Sequence, residues 1–234
     1  MGSRGQTGAR GQGTPTVVSL TAASPSPSFG LDRLRRARYR RAVREEFQPG
    51  GRAPAPVPLR LVQDFVNTEV PDFQQDDVAT PAALAAWLVR HGLIDQADPV
   101  DADLFVEARA LRSALRELAL ANTLGVAPSA ERRVELDAVL GAFPLALRLV
   151  DGWPVLGPAP GGARGGLATI VAVVAEARAA GSWERMKACR QETCGWVFYD
   201  GSRNRSSGWC SMQVCGGRAK ASSYRRRHAA RRAG

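Results

Sequence analysis

The chain has 234 residues, 44% of them hydrophobic, enough for one medium domain with appendages or for two small ones. Its net charge of +10 is unevenly spread: residues 1–52 carry +7, residues 53–200 carry −6 and residues 201–234 carry +9. No apolar run reaches the roughly 18–20 residues that span a bilayer, and Val17, Val18 and Leu20 sit among Gly, Pro, Ser and Thr rather than in a signal-peptide core, so the expectation is a soluble cytoplasmic protein.

Only Lys187 and Lys220 are lysines, and part of the arginine content is attributable to coding bias. Bias does not explain an acidic centre followed by a tail with no acid after Asp200. That asymmetry points to a polyanionic partner for the C-terminus.

Residues 1–30 are rich in Gly, Ser, Pro and Thr and read as disordered. Residues 31–47 read as a short basic helix or solvated extension, and 48–58 as a Pro/Gly linker. The body opens near Leu59 with LRLVQDFVNT, a helix or turn entering the core. Its polar residues Asp64, Asn67 and Thr68 are read as making capping or backbone hydrogen bonds. Thr80 and Pro81 start a helix through Leu84, Trp87 and Leu88, with His91 on its surface and Gly92 as its stop. Asp98-Pro99 opens a longer helix to about Thr123, its core stripe Leu104, Ala108, Leu111, Leu115 and Leu118. Arg109, Arg112 and Arg116 read as a solvated face, and Gly125 stops the helix. Ser129 caps a third helix carrying Val134, Leu136, Val139 and Leu140.

The period then changes. Residues 144–150 alternate as a strand, Asp151-Gly152 is a hairpin turn, and Trp153–Leu156 returns. Residues 157–166 form a Gly/Pro loop without the Lys-Ser/Thr of a phosphate loop. Leu167–Ala180 is a buried helix, and Trp183–Ala188 leads into the first cysteine.

Cys189-x4-Cys194 and Cys210-x4-Cys215, fifteen residues apart, hold every cysteine of the chain. Paired thiols at this spacing suit one tetrahedral Zn²⁺ or two disulfides. A reducing compartment favours the metal, and four thiolates leave no open position, so one Zn²⁺ would be structural. Between the pairs, Trp196–Tyr199 reads as a short strand whose aromatics form a small core, with Trp209 beside the site. After them, residues 216–227 read as a basic helix starting at the last cysteine turn. Arg203, Arg205, Arg218, Lys220, Arg225, Arg226 and Arg227 are the candidate nucleic-acid contacts, with Arg218, Lys220 and Arg225 near one face. His228 lies in the tail and is not needed as a ligand.

Residues 185–228 closely resemble the CGNR zinc finger. The resemblance is carried by Cys189-x4-Cys194-Gly-Trp-Val-Phe-Tyr-Asp200, Ser202-Arg-Asn-Arg205, Trp209-Cys210-Ser-Met212, Cys215-Gly216 and Arg218-Ala-Lys220. The body, from Asp64-Phe-Val-Asn-Thr68 onward, looks like the ABATE domain that precedes this finger. The resemblance implies stress-linked transcription regulators with the finger as DNA binder, and zinc ligands at Cys189, Cys194, Cys210 and Cys215. The family's Cys-Gly-Asn-Arg stands here as Cys215-Gly-Gly217-Arg218, and Tyr224 stands where His is common.

The expected architecture is therefore mainly α (α+β). It comprises a basic extension and linker (1–57), a helical body with one β-hairpin (58–182), and a four-cysteine zinc finger ending in a basic helix (183–234). The expected function is DNA-binding transcription regulation, with the body as sensor or interaction module. A small effector between its helices is conceivable, but no residue set identifies one. An RNA- or ribosome-associated binder and a protein-interaction adaptor are the alternatives. An enzyme acting through Asp64 and Asn67 is set aside, because no catalytic pair stands at an informative spacing.

Overall fold

A computed structural model describes residues 48–96 and 98–233; the expectations for residues 1–47 lie outside them. Among the described residues six α-helices carry the fold: α1 (Leu59–Val66), α2 (Pro81–Arg90), α3 (Ala102–Leu124), α4 (Ala130–Gly141), α5 (Gly162–Ala179) and α6 (Gly217–Ala233). Three two-stranded antiparallel sheets join them: β1–β2 (Glu69–Val70, Gln75–Asp76), β3–β4 (Leu145–Val150, Trp153–Pro158) and β5–β6 (Met186–Ala188, Val197–Tyr199). The architecture is mainly α, and among the described residues no helix is long and apolar enough to cross a membrane.

Helix starts follow the cap chemistry. The Thr80 and Ser129 hydroxyls accept from Ala83 N (3.1 Å) and Arg132 N (3.3 Å). The long helix α3 is capped by Asp101, which accepts from Leu104 N at 2.8 Å, and not by Asp98. The Asp98 carboxylate instead accepts from Asp95 N in the preceding turn. At its far end Gly125 adopts φ 68°, the left-handed cap that glycine takes without strain. Asp151 and Gly152, both at positive φ, make the β3–β4 turn as expected, although the alternating apolar side chains Leu147 and Leu149 are exposed.

The core lies around α1, whose Leu61, Val62, Phe65 and Val66 are fully buried against Leu111 and Leu115 of α3 and Leu167, Ile170 and Val173 of α5. Helix α5 starts at Gly162, five residues before the expected Leu167. Two of the glycines that suggested a loop, Gly165 and Gly166, are there for close approach. A Cβ on Gly166 would sit 2.9 Å from Ile94 and 3.2 Å from Leu93.

Two further expectations are corrected by burial. Residues 48–58 are packed rather than a free linker: Gln48 and Ala55 are buried, and Ala55 N donates to Gln63 Oε1 at 2.8 Å. Arg112 and Arg116 do not form a solvated face. Arg112 is 1% exposed and grips both carboxylate oxygens of Asp76 (2.7 and 2.8 Å), pinning the β1–β2 hairpin. Arg116 donates to Glu69 Oε2 and to the carbonyls of Val66, Glu69 and Gly195.

That last contact reaches into the cysteine region. Strands β5 and β6 are wedged between α1 and α3, and Met186, Ala188 and Val197 belong to the main core. Both hairpin edges are closed by side chains of the body. On the β6 edge, Asn67 Nδ2 donates to Val197 O and Asn67 Oδ1 accepts from Val197 N, each at 2.8 Å. On the β5 edge, Thr123 Oγ1 donates to Ala188 O (2.7 Å) and accepts from Ala188 N (3.0 Å). Asn122 Nδ2 adds bonds to the Trp183 and Met186 carbonyls. The chain boundary drawn at 182/183 is therefore crossed by continuous packing.

Candidate metal centre and basic helix

The first cysteine pair hangs from the β5–β6 hairpin. Cys189 N donates to Trp196 O at 2.9 Å, and Cys194 N closes the turn on Gln191 O at 2.9 Å. Gly195 follows at φ 58°, where a Cβ would also meet Arg116 Cδ at 3.1 Å. Of the second pair, Cys215 sits in a turn at Met212–Gly216 and Cys210 lies just before its cap residue Ser211. The Ser211 hydroxyl accepts from Val214 N, and Gly216 N donates to Ser211 O. Arg52, from the segment expected to be a linker, braces this side. It donates to the Cys210 and Trp209 carbonyls (2.8 and 3.1 Å) and stacks over Phe198 at 4.5 Å.

The four sulfurs lie within 4.8 Å of one another, and all four cysteines are buried. Cys194–Cys210 and Cys210–Cys215 are 3.7 and 3.6 Å apart. A disulfide needs about 2.05 Å, so these are free thiols. Zn–S bonds of about 2.3 Å set tetrahedral S···S edges of about 3.8 Å, which these distances match. Without metal the sulfurs must share protons. Hydrogen bonds from Cys194 and Cys210 pull Cys189 down to about 2, while that interaction pushes Cys194 up to about 12 and also raises Cys210. A dication removes this competition by accepting all four thiolates. The donor set is complete, soft and closed, and it holds one structural Zn²⁺.

Phe198 packs against the cysteines, with Trp196 and Trp209 half-buried beside it, while Val197 and Tyr199 face the main core. Just beyond β6, Asp200 is fully buried with Lys187, whose Nζ donates to Asp200 Oδ2 at 3.0 Å. Burial alone would raise the Asp200 carboxyl. Bonds from Ser202, Lys187 and Ser207 outweigh it and hold the group below the usual carboxylate range. Lys187 also donates to the carbonyls of Arg205 and Ser207, so this buried pair organises the 201–207 loop.

Helix α6 starts at Gly217 and packs on the Met212–Gly216 turn. Its 17 residues span about 25 Å. Arg218, Lys220 and Arg225 are exposed on it, and Arg203 and Arg205 on the preceding loop. Arg218 and Arg225 share a face, but two residues turn Lys220 about 200° from Arg218, so the three-residue face is not formed. Arg218 also has a partner: it donates to Asp72 Oδ2 at 2.8 Å. Arg226 and Arg227 lie in the same helix.

Two family profiles match the chain. The ABATE profile, described as "Putative stress-induced transcription regulator", covers residues 59–181, more than half of the sequence. The chain belongs to the ABATE family. The CGNR zinc finger profile covers residues 185–228, with all four cysteines of the centre. A comparison with curated proteins returns no match.

The ABATE body thus supplies Asn67, Thr123 and Arg116 to seat the finger. Asn67 was singled out in the sequence, but its partner was not. Asn67-Thr68 and Asn122-Thr123 are matching Asn-Thr pairs at the C-terminal ends of two helices, and that repeated placement was the available signal. The Gly217 position adopts φ −64°, ψ −47°, and a Cβ there would meet nothing closer than Met212 O at 3.7 Å. The ABATE protein therefore has glycine here without a backbone need for it.

Proposed function

We propose that this ABATE-family protein is a transcription regulator that binds duplex DNA through α6 and the 201–207 loop, with zinc fixing both to the body. The observation that carries the reading is the charge arrangement. The last acid, Asp200, is buried and paired with Lys187, so the surface that follows presents only basic charge. A helix clamped at one end by metal offers those charges at fixed positions, which suits phosphate contacts along a groove.

The aromatic residues of the finger core favour duplex over single strands, and Tyr224, an exposed ring on α6, is already packed against His228 at 4.1 Å. Phe198 is buried and Trp196 and Trp209 are half-buried, so none forms an open platform for stacking unpaired bases.

The test is a salt titration of zinc-loaded protein with duplex DNA, single-stranded RNA and heparin. Arg203, Arg205 and Arg225, exposed and without an ion pair among the described residues, predict a slope of log K against log salt of about −3 on duplex when each engages a phosphate. Arg225→Ala should reduce it by about one. Equal affinity for all three polyanions, or affinity untouched by chelation, refutes the reading.

A further inference from the structure

Between the body and the finger lies a cavity of about 510 Å³ that none of the roles above uses. Its size falls within the range of about 300–1,000 Å³ typical of small-molecule sites. The body lines it with the His91 ring, which stacks on the buried Trp87 at 3.8 Å and 23° between planes. The finger lines it with Trp196 and with three of the zinc cysteines.

The charges on its walls do not cancel. Asp64 is neutralised by Arg60 beneath it, and Asp72 by Arg218. Asp77, bonded to the Gln75 amide, and Arg90 form no salt bridge with described residues, and they offset each other. What remains is the metal centre, where four thiolates around one dication leave a net charge of about −2. Aromatic walls with an excess of negative charge select a flat cation: the rings supply contact area and cation–π attraction, and the carboxylates accept from an ammonium.

We propose that this pocket binds a small aromatic amine, and that the bound ammonium competes with Arg218 for Asp72. Arg218 stands on the first turn of α6, so its release changes the charge that the basic helix presents. The binding claim stands on the pocket alone. Only the effect on nucleic acid rests on the function proposed above, so the experiment contains no nucleic acid.

Tryptamine is titrated into the zinc-loaded full chain by isothermal calorimetry, alongside indole-3-acetate, which has the same ring and the opposite charge. The expected result is one tryptamine site per chain, with indole-3-acetate at least about tenfold weaker, a difference of about 1.4 kcal/mol. Asp77→Asn, at an exposed position, weakens tryptamine about tenfold. Arg218→Gln leaves Asp72 without its partner and tightens tryptamine severalfold. Absence of saturable tryptamine binding, or equal binding of the two ligands, overturns the proposal. An unchanged affinity in Asp77→Asn overturns its location, and an unchanged affinity in Arg218→Gln overturns the competition.

Discussion

Replacing Asn67 by alanine tests how the finger is seated. Its amide makes two 2.8 Å bonds to one peptide group of β6, standing in for a third strand. The two halves are not equal. Val197 O keeps a bond from Gln63 Nε2 at 3.2 Å, whereas Val197 N has no other hydrogen-bond partner among those described. Val197 is 1% exposed, so its N–H cannot turn to water. An orphaned buried donor costs about 1–3 kcal/mol, and the second bond about another 1 kcal/mol net. Asn67→Ala should therefore lose about 2–4 kcal/mol in urea denaturation followed by tryptophan fluorescence. Asn67→Asp keeps the acceptor for Val197 N but sets a carboxylate against the Val197 carbonyl, and should be no more stable than the alanine variant. Zinc content should stay at one per chain in both. A loss below about 0.5 kcal/mol, the usual range of surface changes, or an aspartate variant as stable as the parent, would refute the edge-closing role.

Lys187→Met leaves Asp200 buried without its cation and should cost about 3–5 kcal/mol, read by denaturation; a near-neutral effect would mean that Ser202 and Ser207 alone hold the carboxylate. Gly217→Ala adds a side chain at helical φ/ψ with free space around it, and should raise stability by about 0.5–1 kcal/mol; a loss would show that the glycine is needed. The His91 pKa is lowered, chiefly by burial, so the unfolded chain takes up its proton first as pH falls. Stability should be full above about 6.5 and decline as pH drops below it, and His91→Gln should flatten that decline in thermal melts.

Much of the fold was readable where one local rule acts alone. The Thr80 and Ser129 caps, the Asp151-Gly152 turn and the α3 stripe need only their neighbours in sequence, and they formed as expected. The zinc ligands were readable because cysteine spacing is a chemical signal independent of packing. The misses share a different cause. Arg112 and Arg116 look like surface charges until Asp76 and Glu69 fold back over them. The two-residue strands β1 and β2 are too short to carry a period. β5, with Lys187 at its centre, is buried only because it enters the body core, a partner remote in sequence. Gly166 reads as loop because nothing local reports that Leu93 and Ile94 press against it.

The side-chain closure of β5 and β6 also bears on how the protein is made. Asn67 is synthesised 130 residues ahead of Val197, and Thr123 65 residues ahead of Ala188. At about 5–20 residues per second, the first of these waits on the order of ten seconds for its partner. Throughout that interval the groove between α1 and α3 is open, with the apolar residues that later cover Met186 and Val197 facing water. The helical body is thus an unfinished core until the last quarter of the chain arrives. A nascent chain stalled before residue 186 would keep that groove open to water.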